Sequence, residues 1–142
     1  VRKFNDRNWS DHMFKGRERG VFYIVTGKGG LQRRVMLPKD LAVRLQERAF
    51  DKPRDILDRE RGVIYKDVLY DLGAGKNWSR SFTRAAQMVL GWSRGAHGLR
   101  HSYVQNRMGE LDAARIPHKE SIRAVANEVG HFSEKTTYTY LR

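Results

Sequence analysis

The chain contains no cysteine, so disulfide bonds and thiolate metal sites are excluded. It has only three prolines, and nothing in it approaches the run of about 20 apolar residues that a membrane helix needs. No secretory leader pattern opens it. The first residue is Val1 rather than methionine, and the chain reads as a fragment of a longer protein. Acidic residues are in short supply: 16 Asp and Glu face 28 Lys and Arg, a net charge of +12 on 142 residues. That length suits one domain with one core. A domain this basic attracts polyanions, and phosphate neutralisation by Lys and Arg makes nucleic acid the expected partner. A membrane surface fits less well, because no basic amphipathic anchor stands out.

Hydrophobic patterning predicts an α+β fold, mainly helical with a small antiparallel β-hairpin. Residues 1–20 are polar and hold at most a short helix. VFYIV (21–25) and RRVML (33–37) flank a glycine-rich turn, TGKGGLQ, and read as a hairpin ended by Pro38. Residues 40–50 carry Leu41, Leu45 and Arg48 at helical spacing, with Asp40 as the N-cap. The charged stretch 51–61 reads as a linker and a turn, 62–65 as a short strand, and 70–77 as a loop. In 79–90, Phe82, Ala85, Ala86, Val89 and Leu90 form one helical face, closed by Gly91. Helices are also expected over 97–111 and over 120–130, the latter with Ile122, Val125, Ala126 and Val129 on one face and Gly130 as its stop. A short helix with Ser133 as N-cap is expected over 133–142.

Three constellations could carry chemistry. His97, Arg100 and His101 lie at i, i+3 and i+4 and share a helical face. An arginine between two histidines suits a phosphate, because Arg bonds it bidentately and His moves protons. The same face could equally hold a capping histidine among surface charges. A metal reading would take His97 and His101 with a third ligand from His12, His118, His131 or a carboxylate, but the Glu of an HExxH motif is missing. Second, Lys28 sits at the tip of the glycine-rich turn, which lacks phosphate-loop spacing. It is either an exposed surface lysine or a mobile one delivered into a groove. Arg33 and Arg34 follow as DNA-contact candidates, and as adjacent strand residues only one of them can face a ligand. Third, Gly130 stops a helix and aims His131 from the joint. Tyr138 and Tyr140 come after it, and on a helix they point about 200° apart, so both cannot serve one pocket.

Taken in order, GKGGLQRRVMLP, HGLRHSY and VGHFSEKTTYTYL resemble the catalytic domain of the tyrosine recombinase (phage integrase) family, from about residue 20 to the end. The family pattern is a lysine in a hairpin turn, an H-x-x-R box, an L-G-H box, and a tyrosine nine residues after that histidine. Here these are Lys28, His97 to Arg100, Val129-Gly130-His131, and Tyr140.

The resemblance implies that residues 1–142 are a recombinase catalytic domain whose upstream DNA-binding domain is not included. It implies cleavage and rejoining of double-stranded DNA for integration or excision. Tyr140 would attack the phosphodiester, giving a 3′-phosphotyrosine and a free 5′-hydroxyl. Arg100 and His131 would hold the scissile phosphate, Lys28 would protonate the leaving oxygen, His97 would assist proton transfer, and His101 would support them. No cofactor and no metal would be needed. The chains would assemble as a tetramer on DNA, in the cytoplasm of a bacterial host, with the nucleoid.

Some features depart from that pattern. The family's upstream arginine box is not recognisable; Arg2 is a candidate, but Asn5 stands where an acidic residue is expected. DAARIPHKES (112–121) reads as an inserted loop. The chain ends two residues after Tyr140, so this terminal segment is expected to be loosely held. Two other readings stand beside the enzyme: a catalytically inactive DNA-binding module of the same fold, and a metal-dependent nuclease built on His97, His101 and His131.

Overall fold

The computed structural model of the chain describes residues 9–27, 32–59, 62–73, 75–131 and 137–141. Its elements run β1 (Val21–Thr26), β2 (Gln32–Leu37), α1 (Lys39–Gln46), β3 (Ala49–Asp58), β4 (Val63–Tyr70), α2 (Gly75–Leu90), α3 (His97–Ala113) and α4 (His118–Val129). The fold class is α+β, with helices and two antiparallel two-stranded sheets. Contacts divide the chain into two compact units. The first is Val1–Pro38 with Leu99–Arg142, and the second is Lys39–Gly98.

The first unit holds the core. β1 and β2 pair in register from Val21↔Leu37 to Thr26↔Gln32, as expected for the hairpin. α3 contributes Val104, Met108 and Leu111 at helical spacing, and α4 contributes Ile122, Ala124, Val125 and Val129. Ile116, in the short connection between these helices, and Tyr140 complete the cluster. Complete burial of a side chain such as Ile122, 0% exposed, contributes about 1.5–3 kcal/mol. The expected inserted loop over 112–121 is not found. α3 runs on to Ala113 and α4 begins at His118, so the connection is only residues 114–117.

Two charged residues lie inside this core. Arg107 of α3 is fully buried and Glu128 of α4 nearly so. The guanidinium donates from Nε (2.9 Å) and Nη2 (3.0 Å) to the Glu128 carboxylate. That carboxylate also accepts from the Tyr103 hydroxyl at 2.7 Å and from the Phe14 backbone N–H at 2.7 Å. Burial, followed by the Glu128 charge, pushes the Tyr103 hydroxyl well above its ordinary pKa, so it stays a donor. Arg107 also donates to Glu110 and to the Lys15 carbonyl, and Arg17 bridges to Glu110. The irregular segment 9–20, where no helix forms among the described residues, is thereby pinned to α3 and α4 by charge-assisted bonds.

Glu110 sits at the exposed rim of this network. The hydrogen bond from Arg17 holds its carboxyl below the ordinary range; partial burial opposes this and the hydrogen bond from Arg107 reinforces it. A carboxylate whose native pKa is depressed adds stability above its unfolded pKa and loses it as pH falls through the native value. Glu110→Gln should therefore lower Tm modestly at pH 7, and the gap from the parent should close as pH falls through the acid range below about 4.5. Thermal melts from pH 7 to pH 3 check this; a gap independent of pH would remove Glu110 from the acid response.

The second unit departs more from expectation. The 51–61 stretch is not a linker: β3 occupies most of it and pairs with β4, which extends beyond the expected 62–65 to Tyr70. Both strands are mostly exposed, so the charged sequence carries no in–out alternation to betray a strand. Pro53 is tolerated because a two-stranded sheet has only edge strands, and because the ladder is irregular between Ala49 and Arg54. Of the expected loop 70–77, residues 71–73 are irregular and α2 has already begun at Gly75. The α2 stripe is helical as expected but is not a buried face: Val89 is 81% and Leu90 59% exposed. α1 ends at Gln46, so Arg48 lies beyond it, and Asp40 falls inside its first turn. Ala42, rather than Leu41, is its buried residue.

Candidate active site

Expected site residues converge at the C-terminal end of α4. That helix stops because Gly130 takes a left-handed conformation, φ 76°. Its N–H donates to the Asn127 carbonyl at 3.1 Å, and the His131 N–H donates to the Ala126 carbonyl at 2.8 Å. This paired closure fixes the backbone of His131 in place. Nδ1 of His131 lies 3.2 Å from the Thr137 hydroxyl, and Thr137 is fully buried.

Thr137–Tyr140 forms a tight turn, with the Tyr140 N–H donating to the Thr137 carbonyl at 3.0 Å. The turn sends its two tyrosines different ways. Tyr140 is 6% exposed and Tyr138 is 44% exposed. The Tyr140 ring packs against two histidines: its centroid is 4.3 Å from His101 of α3 and 5.3 Å from His131. Tyr138 instead faces His118, with centroids 6.5 Å apart. The expected loose hold on the chain end is not met at Tyr140, whose ring belongs to the hydrophobic core. The expected N-cap Ser133 falls outside the described residues.

Arginines complete the corner. Arg33 of β2 donates from Nη1 to the Glu128 carbonyl at 2.7 Å, one of the carbonyls left without a helical partner at the end of α4. A Cβ added to Gly130 would meet Arg33 Nη1 at 2.9 Å and its Cδ at 3.0 Å, so the guanidinium arm lies directly across the glycine. Burial, then the nearby Arg100 charge, lowers the proton affinity of Arg33. Arg100 of α3 is half-buried. Within the first unit, Tyr140 thus packs against His101 and His131, His131 follows the glycine that Arg33 crosses, and Arg100 lies near enough to Arg33 for their charges to interact.

Four further candidates are Arg34, His97, Lys28 and Arg2. Arg34 faces the opposite side of the strand from Arg33, as adjacent strand residues must, and lines a shallow concavity with Trp9, Met13 and Phe22. His97 is the exposed first residue of α3, three residues before Arg100, and belongs to the second unit. Lys28 and Arg2 fall outside the described residues. Among the described residues no three His, Asp or Glu side chains gather as a metal site. His12 is bonded to Glu120 at 2.6 Å.

Sequence reasoning missed the Arg107–Glu128 pair and the helix-end contact of Arg33. A signal for the pair was present: Glu128 stands three residues after Val125, and Arg107 three after Val104, both on core faces where an unpaired charge is not tolerated. Chemically, these residues offer the Arg100 guanidinium for an anion, imidazoles for proton transfer, and a phenol packed against both histidines. No protein-family model, curated protein or solved structure matches the chain.

Proposed function

We propose that the chain is the catalytic domain of a tyrosine-type site-specific DNA recombinase. The observation that carries this reading is the packing of the Tyr140 ring against His101 and His131, in the unit that also holds Arg33 and Arg100. The order of the motifs and the net charge of +12 support it. In the proposed step, the Tyr140 oxygen bonds to the phosphorus of a DNA phosphodiester, and the bond from phosphorus to the 5′-oxygen breaks. The tyrosine proton passes to a neighbouring base, with His97 assisting. The leaving oxygen takes a proton from Lys28. Arg100 and His131 hold the phosphate and offset the charge that builds on its oxygens. One phosphodiester is exchanged for another, so no external energy source enters, and the reverse step rejoins the strand. Assembly of four chains on DNA belongs to the same reading.

The test is covalent trapping. The full-length protein, incubated with a pool of nicked duplexes of randomised sequence, should give a protein–DNA adduct on a denaturing gel, unaffected by EDTA. Loss of strand cleavage in EDTA would favour a metal nuclease instead. Tight, salt-sensitive binding without an adduct would favour a DNA-binding module of the same fold.

A further inference from the structure

We propose that Arg33 is a positioning residue: its guanidinium, bonded to the end of α4 and lying across Gly130, holds the corner that presents His131 to Tyr140. The inference rests on the recombinase reading for its consequence in catalysis, but its geometric premise stands independently.

Three observations lead to it. Nη1 is committed to the Glu128 carbonyl, a backbone group at the point where the α4 ladder runs out of donors. A cation is favoured at that end by the helix dipole. The side chain also approaches Gly130 so closely that a β-carbon there would lie 2.9–3.1 Å from three of its atoms. The glycine thus serves two purposes, the left-handed turn and the passage of this arm. Finally, Glu128 is itself immobilised through its carboxylate by Arg107, Tyr103 and the Phe14 N–H. Arg33 therefore grips a backbone position that cannot drift. The consequence is a mechanical link from hairpin strand β2, through the α4 terminus, to the imidazole packed on Tyr140.

A residue that contacts DNA phosphate and one that positions a neighbour differ in what they change. Removal of a phosphate contact weakens affinity and flattens its salt dependence. Removal of a positioning contact slows the step at saturating DNA, by about 10²-fold for a displacement near 1 Å. Arg33→Met, which keeps the arm and loses the donors, should therefore form the covalent adduct about 10²-fold more slowly at saturating nicked duplex. Its affinity and salt slope should match the parent. Arg33→Lys, which keeps a cationic donor, should recover at least about tenfold of that loss, and it carries the test if the methionine variant does not fold.

An unchanged rate with weakened, less salt-dependent binding would overturn the proposal in favour of direct phosphate contact. Failure of the parent itself to form an adduct would sink the recombinase reading. The positioning premise is then decided by NMR: the His131 ring resonances should move in Arg33→Met, with His12 and His118 unmoved. Unmoved His131 resonances would overturn it.

Discussion

Tyr140→Phe should abolish the covalent DNA adduct, while Tyr138→Phe should form it at the parent rate. Removal of a covalent nucleophile slows other enzymes by about 10⁴-fold or more, and a comparable loss is expected here. Phenylalanine is the informative replacement because of where the ring lies. Tyr140 is 6% exposed and belongs to the core cluster with Val125 and Val129. Truncation to alanine would remove a buried aromatic, at a cost of about 3–5 kcal/mol, and would confuse lost packing with lost chemistry. Phenylalanine keeps the ring against His101 and His131 and removes one oxygen. Its Tm should stay within a few degrees of the parent. Tyr138, 44% exposed and facing His118, supplies the matched control. Full adduct formation by Tyr140→Phe, or its loss in Tyr138→Phe, would overturn the assignment. DNA binding measured alongside should be unchanged in both.

Legibility in the sequence followed the strength of the local physical signal. The α4 face and its Gly130 stop were readable because burial on one side imposes a helical period, and because a left-handed residue at a helix end selects glycine. The hairpin was readable from two β-branched runs around glycines. The difference between Tyr138 and Tyr140 followed from their two-residue spacing on any tight helical turn. β3 was not readable, since a ribbon exposed on both faces has no alternation and its charges resemble a linker. Nor was the role of Arg33: its partner is a backbone carbonyl 95 residues away, which no spacing rule reaches. The same holds for the binding of segment 9–20, where Phe14 meets Glu128 through a backbone N–H.

That buried network leads to the largest expected effect on stability. Arg107→Met should destabilise the protein by about 3–5 kcal/mol, because it leaves the Glu128 carboxylate buried without its counter-charge. For a chain of this size the shift corresponds to a fall in Tm of roughly 10–20 °C. The loss should not be confined to α3. Glu128 gathers the Phe14 N–H, the Tyr103 hydroxyl and two Arg107 nitrogens, while Arg107 also holds the Lys15 carbonyl. Loosening either residue therefore releases segment 9–20 as well, and hydrogen exchange should report faster exchange at Phe14 and Arg17.

The double variant separates charge from shape. In Arg107→Met with Glu128→Gln, the amide oxygen can still accept from Phe14 or Tyr103, and no net charge remains inside. Replacement of both members of a buried pair is often close to neutral, so the double variant should recover most of the stability lost in the single one. Glu128→Leu in place of the glutamine should not, because it orphans the Phe14 N–H and the Tyr103 hydroxyl together. Thermal melts of the three variants decide between a buried charge and a merely lost contact. Equal destabilisation of single and double variants would mean that the packing of Arg107, rather than the uncompensated charge of Glu128, holds the two helices together.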